Sequence, residues 1–369
     1  MSKRVRIVDI AAKAGVSIGT VDRVLHNRGH VSSASRERVE QVLQEVGYSR
    51  NLLASALATN KTWRVAALLP DPQGDLYWEQ VNRGVEAAAR YAQDFGFVVD
   101  YRYFGLFQPD SFAAQAAAVI QHPPDGLLFT PIYQQESLHL LSQAWLGEIP
   151  NVMINTRIEH GESIAYVGQD SYQSGVLAAR LLGFGLRRGQ SVLILNLDKG
   201  PANAKHLIDK EQGFRDYFAA LPPGESRPAA IHSRVFENFL QPQALADFME
   251  ELQLQLPDVG GIFVTNSRAH LLADILPGQW KSAVRIVGFD LIEPNLRHLQ
   301  AGTISFLINQ HPQEQGYQGV LNLFRHLVLR EAVADIQYLP LDIVVKENAR
   351  YYLSGQTALP RWSSPGKAG

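Results

Sequence analysis

The 369-residue chain contains no cysteine, which excludes a disulfide framework, thiolate catalysis and cysteine-ligated metals and fits a reducing compartment. It also lacks any run of about 18 apolar residues, the length a membrane-spanning helix needs. The opening stretch MSKRVRIVDIAAKAG is charged throughout and has no apolar core of a secretory signal, so a cytoplasmic location with no membrane partner is expected. Catalytic signatures are missing too: there is no Walker loop, no G-x-S-x-G elbow and no HExxH. Gly183, Gly185 and Gly189 end a helical pattern instead of following a strand, and their spacing is not G-x-G-x-x-G. His26 and His30 have HxxxH spacing, but Gly29 lies between them and no third ligand is near. These absences point away from an enzyme and from any metal or cofactor.

Hydrophobic residues make up 46% of the chain, enough for a sizeable core, and the length calls for a small module joined to a larger body. The net charge of −2 hides an asymmetry. Met1 to Thr62 hold ten Lys and Arg against five Asp and Glu, a net +5, which leaves −7 for the remainder. A basic head on an acidic body suits a protein that meets a polyanion at one end and something else at the other.

Within the head, IVDIAAKA and IGTVDRVL are two apolar-periodic segments separated by Gly15-Val16-Ser17, the pattern of a helix-turn-helix. Gly15 can take the left-handed conformation that ends the first helix, and Ser17 can cap the second. Arg6 stands at the first helix's cap position, where the lack of a capping side chain costs about 1 kcal/mol unless another group supplies it. Ser32 reads as the cap of a third helix whose Val39, Val42, Leu43 and Val46 close a core with Ile10, Ala11, Val16, Val21 and Val24. Gly47 stops that helix. The segment SRNLLASALATNKT that follows is too short to be helical alone, since about 12–15 residues are needed even in favourable sequences.

From Arg64 onward, strand patterns such as RVAALLP, GLLFTP and NVMINT alternate with helices such as VNRGVEAAARYAQDFG. A second round follows Gly168, with strands SVLILNL, GIFVTN, VRIVGFD and TISFLINQ. Strands alternating with helices predict a parallel, doubly wound α/β sheet, in which ligands bind beyond the carboxyl ends of the strands.

The stretch from Ile7 to Thr59 closely resembles the lactose-repressor family of bacterial transcription regulators, through VDIAAKAGVS, the TV-RVL of the second helix, HVSSASRERV, EVGY and N-LASALA. The two α/β rounds resemble the periplasmic sugar-binding fold of that family's core. The resemblance implies a three-helix DNA-binding domain (1–49), a hinge helix and linker (50–62) and a two-lobed effector-binding and dimerisation core (63–353), while the Pro, Gly and Ser of SGQTALPRWSSPGKAG make the tail (354–369) an expected disordered segment. The core's lobes would comprise 63–168 with 305–330, and 169–304 with 331–353.

By the same resemblance, Ser17, Ile18, Gly19, Thr20, Arg23 and His30 meet DNA, while Ala54 and Leu57 enter the minor groove and kink it. Ile18 and Gly19 cannot hydrogen-bond through their side chains, so base readout falls to an Ile18 contact with a thymine methyl and to Arg23, which can grip guanine. Asp22 reads first as an intrahelical or turn-capping partner, with acceptance from cytosine N4 as the alternative. For the effector, an expected sugar or sugar derivative, the strand ends nominate Asp71, Tyr77, Trp78, Asn155 and Arg157 in the first lobe and Asn266, Asp290 and Gln310 in the second. Aromatic faces stack on sugar C–H groups, and amides with a carboxylate grip hydroxyls. Ser267 stands where the family commonly has Asp, and the helix before Gly213-Phe214 lacks the family's arginine; Lys205, His206 or Lys210 are the candidates to substitute for it, but each reads first as a solvated helix residue. One reading helix covers only a half-site, so a two-fold homodimer on a near-palindromic double-stranded operator is expected, and a tail without heptads excludes anything larger. The rival reading is a carbohydrate-binding protein, cytosolic or exported, with no role on DNA; the basic head weighs against it.

Overall fold

The computed structural model describes residues 6–25, 29–46, 61–143, 148–159, 163–199 and 204–353. The chain divides into two compact units, residues 1–59 and 60–369. Among the described residues no helix is long and apolar enough to cross a membrane.

The described residues of the first unit form the helices α1 (Ile7–Ala14), α2 (Ile18–Leu25) and α3 (Ser33–Glu45). Ile10, Ala11, Ala14, Val21, Val24, Val39 and Val42 are buried together, with Val16, Leu43 and Val46 packed around them, so the apolar spacing in the sequence does become the core. Gly15 ends α1 at φ 61°, the left-handed region that costs a side-chain-bearing residue most. No side chain at Arg6 caps the first turn's N–H groups, but the Asp9 carboxylate reaches back and accepts the Arg6 N–H at 2.9 Å, the return half of a capping box. Lys13 of α1 and Glu45 of α3 pair at 2.9 Å and tie the ends of the bundle.

The second unit has two six-stranded sheets. Along the chain come β1 (Trp63–Pro70), α4 (Leu76–Ala92), β2 (Phe97–Phe104), α5 (Pro109–Gln121), β3 (Gly126–Phe129), α6 (Gln134–Leu141), β4 (Asn151–Ile154) and β5 (Ala165–Gly168). The second round is α7 (Ser171–Gly183), β6 (Ser191–Asn196), α8 (Lys205–Ala219), β7 (Ile231–Val235), α9 (Pro242–Gln255), β8 (Val259–Val264), α10 (Ala269–Ile275), α11 (Gly278–Ala283) and β9 (Arg285–Phe289). The chain closes with α12 (Glu293–Ala301), β10 (Phe306–Asn309), α13 (Pro312–Phe324), β11 (Ile336–Tyr338), β12 (Asp342–Val344) and α14 (Ala349–Leu353).

The first sheet has the order β11-β5-β4-β3-β1-β2 and the second β12-β10-β9-β8-β6-β7. Among the described residues every pairing is parallel except β12 against β10. Central strands buried on both faces, such as β3, β4, β6 and β8, are the continuous apolar runs that a sheet covered by helices requires.

The lobe boundaries differ from the expected ones. Residues 305–309 stay in the second lobe, because β10 pairs with β9 at Phe306↔Val287 and Ser305 N–H donates to the Ile286 carbonyl. The crossing back begins at Gln310. It continues through α13, which lies against α4, to β11, which joins the first sheet at Ile336↔Tyr166. Only then does the chain return, at β12. A short apolar strand has no signature that says which of two similar sheets it will join, so the sequence placed the crossing a few residues early and the return too soon.

Helix α8 is held close to α7 by two glycines. A Cβ at Gly175 would run into the Lys210 carbonyl and one at Gly213 into the Tyr172 carbonyl. This close approach fixes the side of α8 that carries His206 and Lys210 toward the space between the lobes.

Candidate functional site

In the first unit the turn between α1 and α2 presents what the pattern implied. The Ser17 hydroxyl accepts the Thr20 N–H at 3.1 Å and lies 2.9 Å from the Thr20 hydroxyl. Ser17, Ile18, Gly19, Arg23 and His30 are exposed and Thr20 is half-buried. Ile18, large and apolar, is 52% exposed in the first turn of α2. Ala54 and Leu57, and the hinge they would form, lie outside the described residues, as do 354–369.

In the second unit, a cleft at the carboxyl ends of both sheets is lined by Asp75, Tyr77, Trp78, Phe107, Tyr133 and Asn155 from one lobe, and Asp198, His206, Lys210, Asn266, Arg268 and Asp290 from the other, with Gln310 at the crossing. Asn155 follows β4 and Asp290 follows β9, equivalent strands of the two sheets. Both adopt φ 66°, a conformation that short polar side chains tolerate because they can bond locally. The two lobes thus offer an amide and a carboxylate from matching turns.

A chain of hydrogen bonds joins these two residues. Asn155 Nδ2 donates to Tyr77 Oη at 2.6 Å, and Tyr77 Oη lies 3.5 Å from Gln315 Oε1. Gln315 Nε2 donates to the Gln310 carbonyl at 2.8 Å. Gln310 Nε2 donates to Asp290 Oδ2 at 2.5 Å, while its Oε1 accepts from Lys210 Nζ at 3.2 Å. Lys210 also donates to the Thr265 carbonyl at 2.9 Å and sits 3.6 Å from the centre of the Phe289 ring. The Gln310 amide therefore stands between a buried cation and a buried anion and satisfies both.

Burial pushes the Asp290 carboxyl up and the Lys210 ammonium down, each opposed by the charge of the other. Burial, then the charges of Lys210 and Arg268, push His206 down to about 3, so its imidazole is neutral near pH 7. Burial raises the Tyr77 phenol well above its ordinary value, which keeps it a donor. Polar contacts among the described residues also span the lobes. Arg268 reaches Asp75 at 3.4 Å, and His206 Nδ1 lies 3.2 Å from the Thr156 hydroxyl. Phe107 and Phe239 meet edge to face across the same gap at 5.6 Å.

Of the eight residues nominated from strand ends, Tyr77, Trp78, Asn155, Asn266, Asp290 and Gln310 line the cleft. Asp71 does not: its carboxylate turns back to accept the Gln73 N–H at 2.9 Å. Arg157 does not either, because the left-handed Asn155 and the Thr156 N–H to Ile154 carbonyl bond reverse the chain and send Arg157 behind Thr156. Lys210 is not the solvated residue its setting suggested; it is 1% exposed. Its spacing from Leu207 and Phe214, three and four residues away on the buried side of α8, was the signal available. Arg268 and Asp75 carried no strand-end signal, and Asp75 reads locally as a helix cap, which it is: it accepts the N–H groups of Tyr77 and Trp78.

Two lobes of matching topology around a polar cleft define a periplasmic-binding-type ligand receptor, preceded by a helix-turn-helix unit. Residues 65–331 match the periplasmic binding protein domain, and residues 6–51 match the bacterial regulatory proteins of the lacI family. A structure from Bacteroides fragilis described as a LacI transcriptional regulator is 31% identical, with a TM-score of 0.70, over 79% of this chain and all of that one. The HTH-type transcriptional regulator CelR of Thermobifida fusca is 28% identical over 76% of this chain and 80% of its own length. The regulator DegA of Bacillus subtilis is 32% identical over 40% of this chain, and that alignment spans 43% of DegA. The chain belongs to the LacI family of bacterial transcriptional regulators, and its larger unit is a periplasmic-binding-protein-type domain. The rival reading of a binding protein with no regulatory role has less support than this one.

Proposed function

We propose that the chain is a cytoplasmic homodimeric repressor whose affinity for a near-palindromic operator is set by a sugar or sugar derivative held between its lobes. Ser17, Ile18, Gly19, Thr20, Arg23 and His30 meet the major groove and its phosphates, and Ala54 and Leu57 of the hinge open the minor groove. Arg23 supplies the directional hydrogen bonds and Ile18 an apolar contact, while operator symmetry and the Leu57 kink supply the remaining specificity. In the cleft, Trp78 and Tyr77 offer aromatic faces, and Asn155, Asn266, Asp290, Gln310, Lys210 and Arg268 offer donors and acceptors to hydroxyls. The role is binding, not catalysis.

The observation that carries this reading is the hydrogen-bonded chain from Asn155 through Gln315 and Gln310 to Asp290 and Lys210. It passes through the segment that crosses between the lobes, so a polyol that replaces any of its links acts on both lobes at once. A change in lobe angle then alters the spacing of the two hinges in a dimer and their ability to order on DNA. The test is a thermal-shift screen of sugars, polyols and their phosphates on the full chain, since a ligand of the folded state raises the melting temperature by mass action. The best hit is then added to a DNA-binding titration. A hit that changes DNA affinity in the wild type but leaves Asp290→Asn unresponsive supports the reading; a screen without a hit, or an equal response in the variant, contradicts it.

A further inference from the structure

Two helices of the first lobe start at the cleft and end on one residue, Trp63. Helix α4 carries Asp75 at its cap and Tyr77 and Trp78 in its first turn, all of which line the cleft. Its far end runs through the short turn Gln93–Phe95 to Gly96, whose carbonyl accepts the Trp63 N–H at 2.8 Å. Helix α13 begins just after Gln310 and carries Gln315, the two glutamines of the chain that joins Asn155 to Asp290. Its far end passes through a π turn, Arg325–Leu329, to Arg330, whose guanidinium lies over the Trp63 ring, 5.0 Å from its centre. Turns of this rare kind concentrate at functional sites.

The two helices act as one body. A Cβ at Gly84 of α4 would run into the Gln313 carbonyl, and one at Gly316 of α13 into the Val81 carbonyl, so backbone meets backbone. At the far end, Phe324 of α13 meets Tyr91, Phe95 and Phe97 edge to face at 6.0, 5.3 and 5.8 Å. Phe97 is the partner of Trp63 in the β1–β2 register. Trp63 is 8% exposed and is the first residue after the expected hinge and linker (50–62). Lys61 lies over the same ring at 3.4 Å and also faces the Asp125 carboxylate at 3.4 Å. Burial alone would hold an indole; cations over its face add a directional hold, and here one comes from the linker and the other from the end of α13.

We infer that α4 and α13 form a lever that carries the state of the cleft to the root of the hinge, with Trp63 as its output and Arg330 as the positioning residue that couples the ring to the lever. The inference rests on the reading that the cleft governs the head, and it supplies the route within one chain. Packed helices shift by about 1–2 Å in transitions of this kind. Such a shift at Gln315 reaches Arg330, about 20 Å further along the helix, because the glycine contacts leave no slack between the helices. It moves Trp63, and with it the point from which the chain leaves toward the DNA-binding head.

The experiment uses the full chain labelled with 5-fluorotryptophan, with no sugar added. Of the five tryptophans, the ¹⁹F signals of Trp63 and Trp280 are identified by their loss in Trp63→Phe and Trp280→Phe. Trp280, buried in the second lobe, is the control. Gln315→Leu disturbs the cleft end of α13 and Tyr77→Phe that of α4, so one perturbation remains if the other variant fails to fold. The expected result is a shift of the Trp63 signal while Trp280 stays still. That shift falls below about half its size when Arg330→Gln is added and is kept with Arg330→Lys, which retains a cation over the ring. Affinity for a duplex selected by the full chain from a random pool follows the same pattern. Gln315→Leu changes it about fivefold, and less in the Arg330→Gln background, although residues so far apart ordinarily act additively. A Trp63 signal that neither cleft-end variant moves overturns the proposal, as does a shift of equal size with and without the Arg330 guanidinium. A cleft that binds no sugar leaves these signals untouched, so the two readings fail separately.

Discussion

Arg268 of the second lobe reaches the Asp75 carboxylate of the first at 3.4 Å while also facing Asp198 at 3.7 Å. The guanidinium is mostly buried and lies over the Phe107 and Phe239 rings. It is thus a latch between the lobes, with one acid on each side. Arg268→Met keeps much of the packing and removes the charge, and it is expected to speed ligand release about tenfold, a loss of about 1.4 kcal/mol. Stopped-flow dissociation checks this. Asp75→Asn keeps the cap of α4 and loses the latch, so it shares the kinetic effect without loss of helix stability, whereas Asp75→Ala loses about 1 kcal/mol more for want of the cap.

Lys210 and Asp290 are expected to behave as one unit. Replacing either alone leaves a buried charge without its opposite and costs about 3–5 kcal/mol of stability, while the double replacement Lys210→Met with Asp290→Asn costs less than the sum. Urea unfolding of the four proteins gives the coupling directly. Additive losses would show that the Gln310 amide insulates the two charges from each other.

The pH dependence has a defined sign at His206. Its folded pKa, about 3, lies below the ordinary 6.5, so between these values the unfolded chain binds a proton that the folded one does not. Stability is complete above pH 6.5 and is lost as the pH falls toward 3. Chemical denaturation at a series of pH values is expected to show a shallower acid loss in His206→Gln than in the wild type. Equal slopes would mean that carboxylates elsewhere account for all of it.

In the head, Ser17→Ala is expected to cost about 1 kcal/mol by uncapping α2. Arg23→Ala is expected to cost about 1–3 kcal/mol of operator affinity and to relax preference at a single base position. Binding to a set of singly substituted operators separates the two, because the Ser17 variant weakens all sequences alike.

The sequence carried the head almost whole, because α1 and α2 are short amphipathic helices whose buried positions and Gly15 turn depend on neighbours only a few residues away. It also carried the strand ends, where Asn155, Asp290 and Gln310 stand beside buried strands. What it could not carry depends on chain reversal or on distant packing. Arg157 was misplaced because a positive φ at Asn155 is not written in an Asn-Thr-Arg tripeptide. Lys210 reads as solvated because its charge outweighs the spacing from Leu207 and Phe214, and the close approach of α7 at Gly175 and Gly213 depends on distant packing. The early placement of the crossing at Ser305 has the same origin: which sheet β10 joins is decided by β9, not by β10 itself.

The central claim is that a ligand between the lobes controls the DNA-binding head. Its most direct test is fluorescence anisotropy of a duplex selected by the full chain from a random pool, titrated with and without the best thermal-shift ligand, for the wild type and for Asp290→Asn. The account predicts that the ligand shifts wild-type affinity at least tenfold and leaves the variant's affinity where it was, with binding in both falling steeply as salt is added. Wild-type affinity that is the same with and without a ligand known to occupy the cleft would contradict it.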